Sequence, residues 1–87
     1  MFGHTIICGL GRVGSLVTRA LDQHQVPFIV IDDDPQVAIN AQNKGYYVIH
    51  GASANELILD AAHVKTARLM VICFVPPRLA QYGPRPA

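Results

Sequence analysis

Three glycines in the first part of the chain have the spacing of a phosphate-binding turn. They are Gly9, Gly11 and Gly14 in the segment GLGRVG, which reads G-x-G-x-x-G. In a turn from a strand into a helix, the first glycine permits the tight turn and the second lets the backbone approach a pyrophosphate. The third lets the helix pack closely on the sheet. The N-terminus of that helix would offer free N–H donors and a partial positive charge to the phosphates.

An aspartate follows at the distance expected of a ribose ligand. Asp32 ends an apolar run 18 residues after Gly14, close to the separation of about 20 residues that is typical of dinucleotide-binding units. A carboxylate there can accept hydrogen bonds from both ribose hydroxyls, and it repels a 2′-phosphate. NAD or another adenosine nucleotide is therefore favoured over NADP. The alternative is a tight glycine turn that binds no ligand.

Neighbouring residues complete the candidate site. Arg12, inside the turn, either contacts a phosphate or lies in solvent. Asp33 is interpreted as solvated near the adenosine, and Asp34 as a helix cap. A metal site on these adjacent aspartates is disfavoured because their side chains point in different directions. Ligands of open α/β sheets bind along the carboxyl edge, where the third predicted strand ends and three further residues could border the adenosine: Gly51, Ala52 and Ser53.

The remaining reactive side chains predict no catalysis. Cys8 and Cys73 fall in predicted buried strands and are interpreted as free core thiols. His50, at a strand end, can approach the site, but a lone histidine in such a place is more often structural. His4 and His63 have no acidic or thiol partner at a useful spacing. The sequence contains no recognisable nucleophile with a histidine and an acid, so we expect a protein that is not an enzyme.

The elements that must position these residues alternate between strand and helix. Hydrophobic patterning predicts strands over 4–8, 28–32, 46–50 and 68–74, separated by helices over 12–24, 35–44 and 53–62. This alternation predicts a Rossmann-like α/β fold with a parallel sheet in the order 3-2-1-4, helices on both faces and a truncated C-terminal part. The all-apolar second strand indicates burial on both faces.

Local signals mark the ends and the buried sides of the helices. The first helix is predicted to bury a stripe comprising Val13, Leu16, Val17, Ala20 and Leu21. Asp34 followed by Pro35 predicts the start of the second helix, and Gly45 its end. Ser53 and Glu56 match a capping box at the start of the third.

Composition limits the remaining possibilities. The chain has 87 residues, of which 51% are hydrophobic and 15% charged, and a formal net charge of +1. These values indicate one small domain with a core, over residues 1–74. They provide no electrostatic basis for nucleic-acid binding, and no apolar stretch is long enough for membrane insertion, so we expect a cytoplasmic protein. Residues 75–87 contain four prolines and are predicted to form an irregular tail.

Three segments together resemble a known family. They are HTIICGLGRVGSLVTRAL, FIVIDDDP and GYYVIHGASANELILDAAHVKTARLMVI, which cover residues 4–21, 28–35 and 45–72. They resemble the RCK N-terminal domain, also called the TrkA-N domain, and most of all the cytoplasmic domains of Kef-type potassium/proton antiporters. Because several segments occur in the same order, this resemblance is much more specific than the glycine motif alone.

The resemblance implies a regulatory nucleotide-binding module of a potassium transport system. Family members bind NAD(H), or in some cases AMP or ATP, and form dimers or higher oligomers. The expected partner is the membrane domain of a potassium transporter or channel, which would hold this domain at the inner face of the plasma membrane. The phosphate loop would comprise Gly9, Leu10, Gly11, Arg12, Val13 and Gly14, with Asp32 at the ribose.

Two departures from the family pattern affect these expectations. Ala52 stands where the family usually has an aspartate, so the hydrogen bonds of that carboxylate are lost and nucleotide choice or affinity changes. The ending VPPRLAQYGPRPA does not resemble the family's continuation, which predicts a truncated or frame-disrupted gene. A fragment of an NAD-dependent oxidoreductase is the alternative function, and a remnant without a function is a third.

Overall fold

A four-stranded parallel sheet forms the centre of the structure. The computed structural model describes residues 2–73, and the predicted tail lies outside them. The strand order is β3-β2-β1-β4, and every neighbouring pair is parallel, which confirms the predicted order. In chain order the elements are β1 (Thr5–Cys8), α1 (Arg12–Gln23), β2 (Phe28–Asp32), α2 (Pro35–Asn43), β3 (Val48–His50), α3 (Glu56–Ala61), a 3₁₀ helix (Val64–Thr66) and β4 (Leu69–Ile72).

The two central strands are buried on both faces, as the apolar pattern predicts. On one face of the sheet, Ile6 and Ile31 pack against side chains of α3 and of the segment that follows it. On the other face, Ile7 and Val30 pack against side chains that include Val17 of α1. The edge strand β4 is more open.

Helix α1 lies on the sheet through small residues rather than through its whole apolar stripe. Gly14 and Thr18 are its buried residues, whereas Val13 and Leu16, which were predicted to be buried, are each 60% exposed. A Cβ on Gly14 would overlap the carbonyl oxygen of Gly9, so the absence of a side chain brings the helix against the chain leaving β1. The prediction is confirmed for Val17 and Leu21, which pack against the core. It is wrong for Val13, Leu16 and Ala20, which are exposed, because the close approach at Gly14 selects the buried side of this helix.

The start of α3 also differs from the prediction. Its N-cap is Asn55, whose side-chain oxygen accepts from the backbone N–H groups of Leu57 at 2.8 Å and Ile58 at 3.4 Å. Ser53 therefore does not cap the helix. The residues before Asn55 form a turn that is closed by its own N–H, which donates to the Ala52 carbonyl at 3.1 Å.

Both outer strands are shorter than predicted. β3 begins at Val48 because the Tyr46 N–H donates to the Ala41 carbonyl at 3.2 Å and thereby closes the end of α2. Tyr46 stacks edge-on against Phe28, whereas Tyr47 is 68% exposed. β4 covers four residues. Within residues 2–73, no helix has the length and apolarity to cross a membrane.

A buried histidine lies at the end of the sheet opposite the glycine turn. His4 precedes β1 and is fully buried. Its Nε2 atom lies 2.7 Å from the carbonyl oxygen of Ala62, directly after α3. A carbonyl oxygen only accepts hydrogen bonds, so Nε2 carries the proton. His4 thus joins the first strand to the third helix and has a structural role.

Candidate functional site

The glycine turn leads from the carboxyl end of β1 directly into α1. Gly9 has a φ of +90°, a conformation that side-chain-bearing residues rarely adopt. Its N–H donates to the Ile31 carbonyl of the neighbouring strand at 2.8 Å, so the chain stays paired with β2 up to the point where it turns. The turn is therefore fixed to the sheet at its first residue.

The other two glycines differ in what surrounds them. A Cβ on Gly14 would overlap the Gly9 carbonyl oxygen and lie 3.2 Å from its carbonyl carbon. A Cβ on Gly11 would meet no atom of the described chain within 4 Å. Gly14 is thus required by the packing of the protein itself. Gly11 leaves open space in front of the first turn of α1, which is where a ligand would have to approach.

The N-terminus of α1 lacks the side-chain cap that the other two helices have. Asp34 caps α2, as predicted, by accepting from the Gln36 and Val37 N–H groups at 2.9 and 3.3 Å, and Asn55 caps α3. At α1 the N-cap is Gly11, and no side chain accepts a hydrogen bond there. Because the first N–H groups of a helix have no partner inside it, this end can bind an anion. Arg12 is exposed at the first helical position.

Asp32 connects the glycine turn to the start of α2. Its Oδ2 atom accepts from the Leu10 N–H at 2.8 Å, and its Oδ1 atom accepts from the Asp34 N–H at 2.9 Å. Each carboxylate oxygen can accept a further hydrogen bond, so both remain capable of receiving a hydroxyl. The Leu10 N–H, in contrast, is already used within the protein.

The end of β3 borders the loop that follows Asp32. The Gly51 N–H donates to the Asp32 carbonyl at 2.9 Å, and Nε2 of His50 lies 3.0 Å from the Asp33 carbonyl oxygen. The side chain of Asp33 is exposed. The predicted neighbours of the adenosine, Gly51 among them, thus lie at the same edge of the sheet as the glycine turn.

The last two predicted site residues follow Gly51. Ala52 is exposed and Ser53 is half-buried. A Cβ on Gly51 would press against the side chain of Ile58 in α3, so this glycine is also needed for packing. The short side chain of Ala52 offers no hydrogen-bonding group at the position where the resemblance leads us to expect a carboxylate.

The two thiols lie close to the glycine turn but are not activated. Cys8 and Cys73 are both free, and the Cys73 N–H donates to the Cys8 carbonyl at 2.8 Å. Burial raises the pKa of both thiols above the ordinary value of 9.0, which keeps them protonated at neutral pH and makes them weak nucleophiles. Among residues 2–73 no group of three or more side chains is arranged to hold a metal ion.

Sequence reasoning missed two contacts of the site. It assigned Leu10 through the family resemblance alone, and it placed His50 within reach of the site but favoured a structural role for it. The Leu10 contact is made by a backbone N–H, which leaves no trace in residue type. The position of His50 directly before Gly51, at a strand end, was the available signal for the second contact.

A scan of the sequence against protein-family models agrees with this geometry. The model of the TrkA-N domain matches residues 5–76, which include all four strands. The chain belongs to the TrkA-N domain family. The family resemblance expected from the sequence is therefore confirmed.

Curated relatives of this TrkA-N domain are transport proteins. It is 30% identical over 69 residues to the cation/proton antiporter YbaL of Escherichia coli and 36% identical over 69 residues to the K⁺ efflux antiporter KefB of Alkalimonas amylolytica. It is 30% identical over 70 residues to potassium channel protein 1 of Methanocaldococcus jannaschii. These matches cover 79%, 79% and 78% of the chain, but only 12%, 10% and 21% of the relatives.

Solved structures share the fold. The TrkA-N domain of the Escherichia coli inner membrane protein YbaL superposes with a TM-score of 0.84 at 27% identity, over 93% of this chain and 59% of that one. The RCK domain of GsuK superposes with a TM-score of 0.69 at 24% identity, over 80% of this chain and 16% of that one, which shows the fold alone. The chain thus corresponds to a part of each of these proteins.

Proposed function

We propose that this TrkA-N domain binds an adenine nucleotide, either NAD(H) or AMP or ATP, and that the nucleotide regulates a potassium transporter or channel. One observation carries the proposal. The uncapped start of α1 and the carboxylate of Asp32 lie at one edge of the sheet and are joined by the 2.8 Å hydrogen bond from the Leu10 N–H to Asp32. An anion site and a diol acceptor side by side match a nucleotide.

The chemistry of each part assigns its role. The phosphates would lie against the first turn of α1, where the helix offers free N–H donors and Arg12 is the first helical residue. The ribose diol would donate to the two oxygens of Asp32. The adenosine would be bordered by the residues that follow β2 and β3, namely Asp33, Gly51, Ala52 and Ser53. The phosphate loop as a whole is Gly9, Leu10, Gly11, Arg12, Val13 and Gly14.

The partner is inferred from the relatives. KefB is by name a K⁺ efflux antiporter, and a third relative is a potassium channel protein, so we infer that this domain acts with potassium transport machinery on the cytoplasmic side of a membrane. Regulation requires that the nucleotide bind two conformations of the domain with different affinity. A second copy of the domain is the other expected partner, because the family resemblance implies dimers or higher oligomers.

A role in regulation rather than catalysis is supported by the side chains near the site. Burial raises the pKa of both thiols close to the glycine turn, so neither is an activated nucleophile. The carboxylate of Asp32 is occupied by two backbone N–H groups, which suits a fixed ligand contact. We propose that the domain is not an enzyme.

Titration calorimetry with NADH, NAD, NADPH, AMP and ATP tests the proposal. We expect saturable binding of at least one of these nucleotides, with NADPH weaker than NADH because Asp32 repels the 2′-phosphate. Asp32→Ala should weaken binding by about 10-fold or more, since hydrogen bonds to a charged group contribute about 1.5–3 kcal/mol. No binding of any of the five nucleotides would refute the proposal.

A control separates ligand contact from folding. Asp32 also holds two backbone N–H groups, so thermal melting must show that the Asp32→Ala variant is folded at the temperature of the titration. Asp22→Ala removes an equal charge from the exposed surface of α1 and should leave binding unchanged. Unchanged affinity in a folded Asp32→Ala variant would remove the ribose assignment.

A further inference from the structure

His50, at the end of β3, is hydrogen-bonded to the loop that carries Asp32. Its Nε2 atom lies 3.0 Å from the carbonyl oxygen of Asp33. A carbonyl oxygen only accepts hydrogen bonds, so Nε2 carries the proton and donates. The side chain is exposed, and an exposed imidazole can form its hydrogen bonds with water. Burial therefore does not explain why this bond to the loop is made.

The bond acts on a single peptide group with two ends. The carbonyl of Asp33 and the N–H of Asp34 belong to the same planar peptide unit. Its carbonyl accepts from His50 at 3.0 Å, and its N–H donates to Oδ1 of Asp32 at 2.9 Å. A peptide that accepts at one end becomes a better donor at the other, because consecutive hydrogen bonds polarise one another. The imidazole is thus linked to the carboxylate through one peptide.

Neighbouring hydrogen bonds fix the orientation of the loop and of the Asp32 carboxylate. The next residue after His50, Gly51, donates its N–H to the Asp32 carbonyl at 2.9 Å. The end of β3 therefore holds two consecutive carbonyls of the loop. The Leu10 N–H holds the opposite carboxylate oxygen, Oδ2, at 2.8 Å. Rotation of the Asp32 carboxylate would break the bond at Oδ1, which is the one that His50 supports.

We propose that His50 is a positioning residue, which holds the Asp32 carboxylate, through the Asp33–Asp34 peptide, in the orientation that accepts a ribose diol. This inference rests on the proposed nucleotide site and assigns it a residue beyond those that contact the ligand. His50 itself touches the loop backbone and not the nucleotide. Its contribution should therefore appear only with ligands that use the Asp32 carboxylate.

Calorimetry with matched ligands and variants tests this role. His50→Ala should weaken binding of AMP or NADH by about 3- to 10-fold, the range of one hydrogen bond. His50→Gln, whose amide keeps an N–H donor at a similar reach, should restore most of the affinity. His24→Ala, which removes an exposed histidine at the end of α1, is the control and should have no effect. Binding of 2′,3′-dideoxy-AMP, which has no diol, should be equally weak with and without His50.

The outcomes separate this inference from the proposed function. If the wild type binds AMP but His50→Ala binds it equally well, the inference is wrong and the nucleotide site stands. An equal loss for AMP and dideoxy-AMP would also overturn it, because the effect would then be general. If the wild type binds no nucleotide, the proposed function fails. In that case the chemical shift of the Asp34 amide proton in ¹H–¹⁵N spectra still tests the link to His50. This resonance should move upfield in His50→Ala and return in His50→Gln. An unchanged resonance in His50→Ala would refute the link.

Discussion

Replacement of Gly14 by alanine is expected to destabilise the protein, although alanine is the better helix former. In a free helix this substitution would stabilise by about 1 kcal/mol. Here the added Cβ would overlap the Gly9 carbonyl oxygen, lie 3.2 Å from the Gly9 carbonyl carbon and touch the Cβ of Cys73 at 3.4 Å. Backbone atoms cannot rotate aside, so α1 must move away from β1. Overpacking of this kind costs about 1–3 kcal/mol.

Gly11→Ala is the matched control because it lies in the same turn. A Cβ there would meet nothing within 4 Å, and the φ of Gly11 is −78°, outside the left-handed region that favours glycine. For a domain of this size, 1 kcal/mol corresponds to about 4–8 °C in Tm. Thermal denaturation followed by circular dichroism should therefore show a Tm lowered by about 4 °C or more for Gly14→Ala and nearly unchanged for Gly11→Ala. A Gly14→Ala variant as stable as the wild type would refute the close contact between α1 and Gly9.

Two further predictions concern the cap of α3 and the two thiols. Asn55→Ala removes the acceptor for two N–H groups and should cost about 1 kcal/mol of unfolding free energy in urea titrations, whereas Asn55→Asp should stay close to the wild type. Burial raises the pKa of Cys8 and Cys73, so above pH 9.0 the unfolded chain loses these protons first and stability falls as the pH rises. A variant with alanine in place of both cysteines should lose less unfolding free energy above pH 9.0 than the wild type. An equal loss in the two proteins would contradict the raised pKa values of the thiols.

Local chemistry predicted much of the fold. The apolar run over 28–32 predicted a strand buried on both faces, and the parallel alternation predicted the strand order that the structure has. The Asp34 cap and the end of α2 near Gly45, which has a φ of +87°, were also predicted. The burial of the second strand and the ends of α2 are set by signals within a few residues, whereas the strand order follows from the alternation of strands and helices along the chain.

The errors arose where the three-dimensional contacts of nearby residues decide between two good local patterns. The capping box at Ser53 and the cap at Asn55 are both good local patterns, and the turn closed on the Ala52 carbonyl selects the later one. The apolar stripe of α1 is real, but the steric fit of Gly14 against Gly9 rotates the helix so that Val13 and Leu16 remain exposed. The spacing of apolar residues along the sequence does not reveal this contact between Gly14 and Gly9.

The sequence predicted where the residues of the candidate site lie in the fold, but not the hydrogen bonds between them. The spacing of the glycines and Asp32 predicted that they lie together at one edge of the sheet, and the structure has them there. The bonds that hold Asp32 come from the backbone N–H groups of Leu10 and Asp34, and the support from His50 passes through a peptide group. Backbone partners of this kind depend on how the loops fold in space, and residue type does not reveal them.

We propose that an adenine nucleotide binds at the start of α1 and at Asp32. A ¹H–¹⁵N titration of the wild type with NADH and with AMP tests it most directly, with folded Gly11→Ala as the control whose Cβ occupies the open space before the helix. We expect saturable shifts of the amides of Gly11, Arg12, Val13 and Asp34 in the wild type and much weaker binding in Gly11→Ala. Shifts that do not saturate, or that map away from this edge of the sheet, would contradict the account.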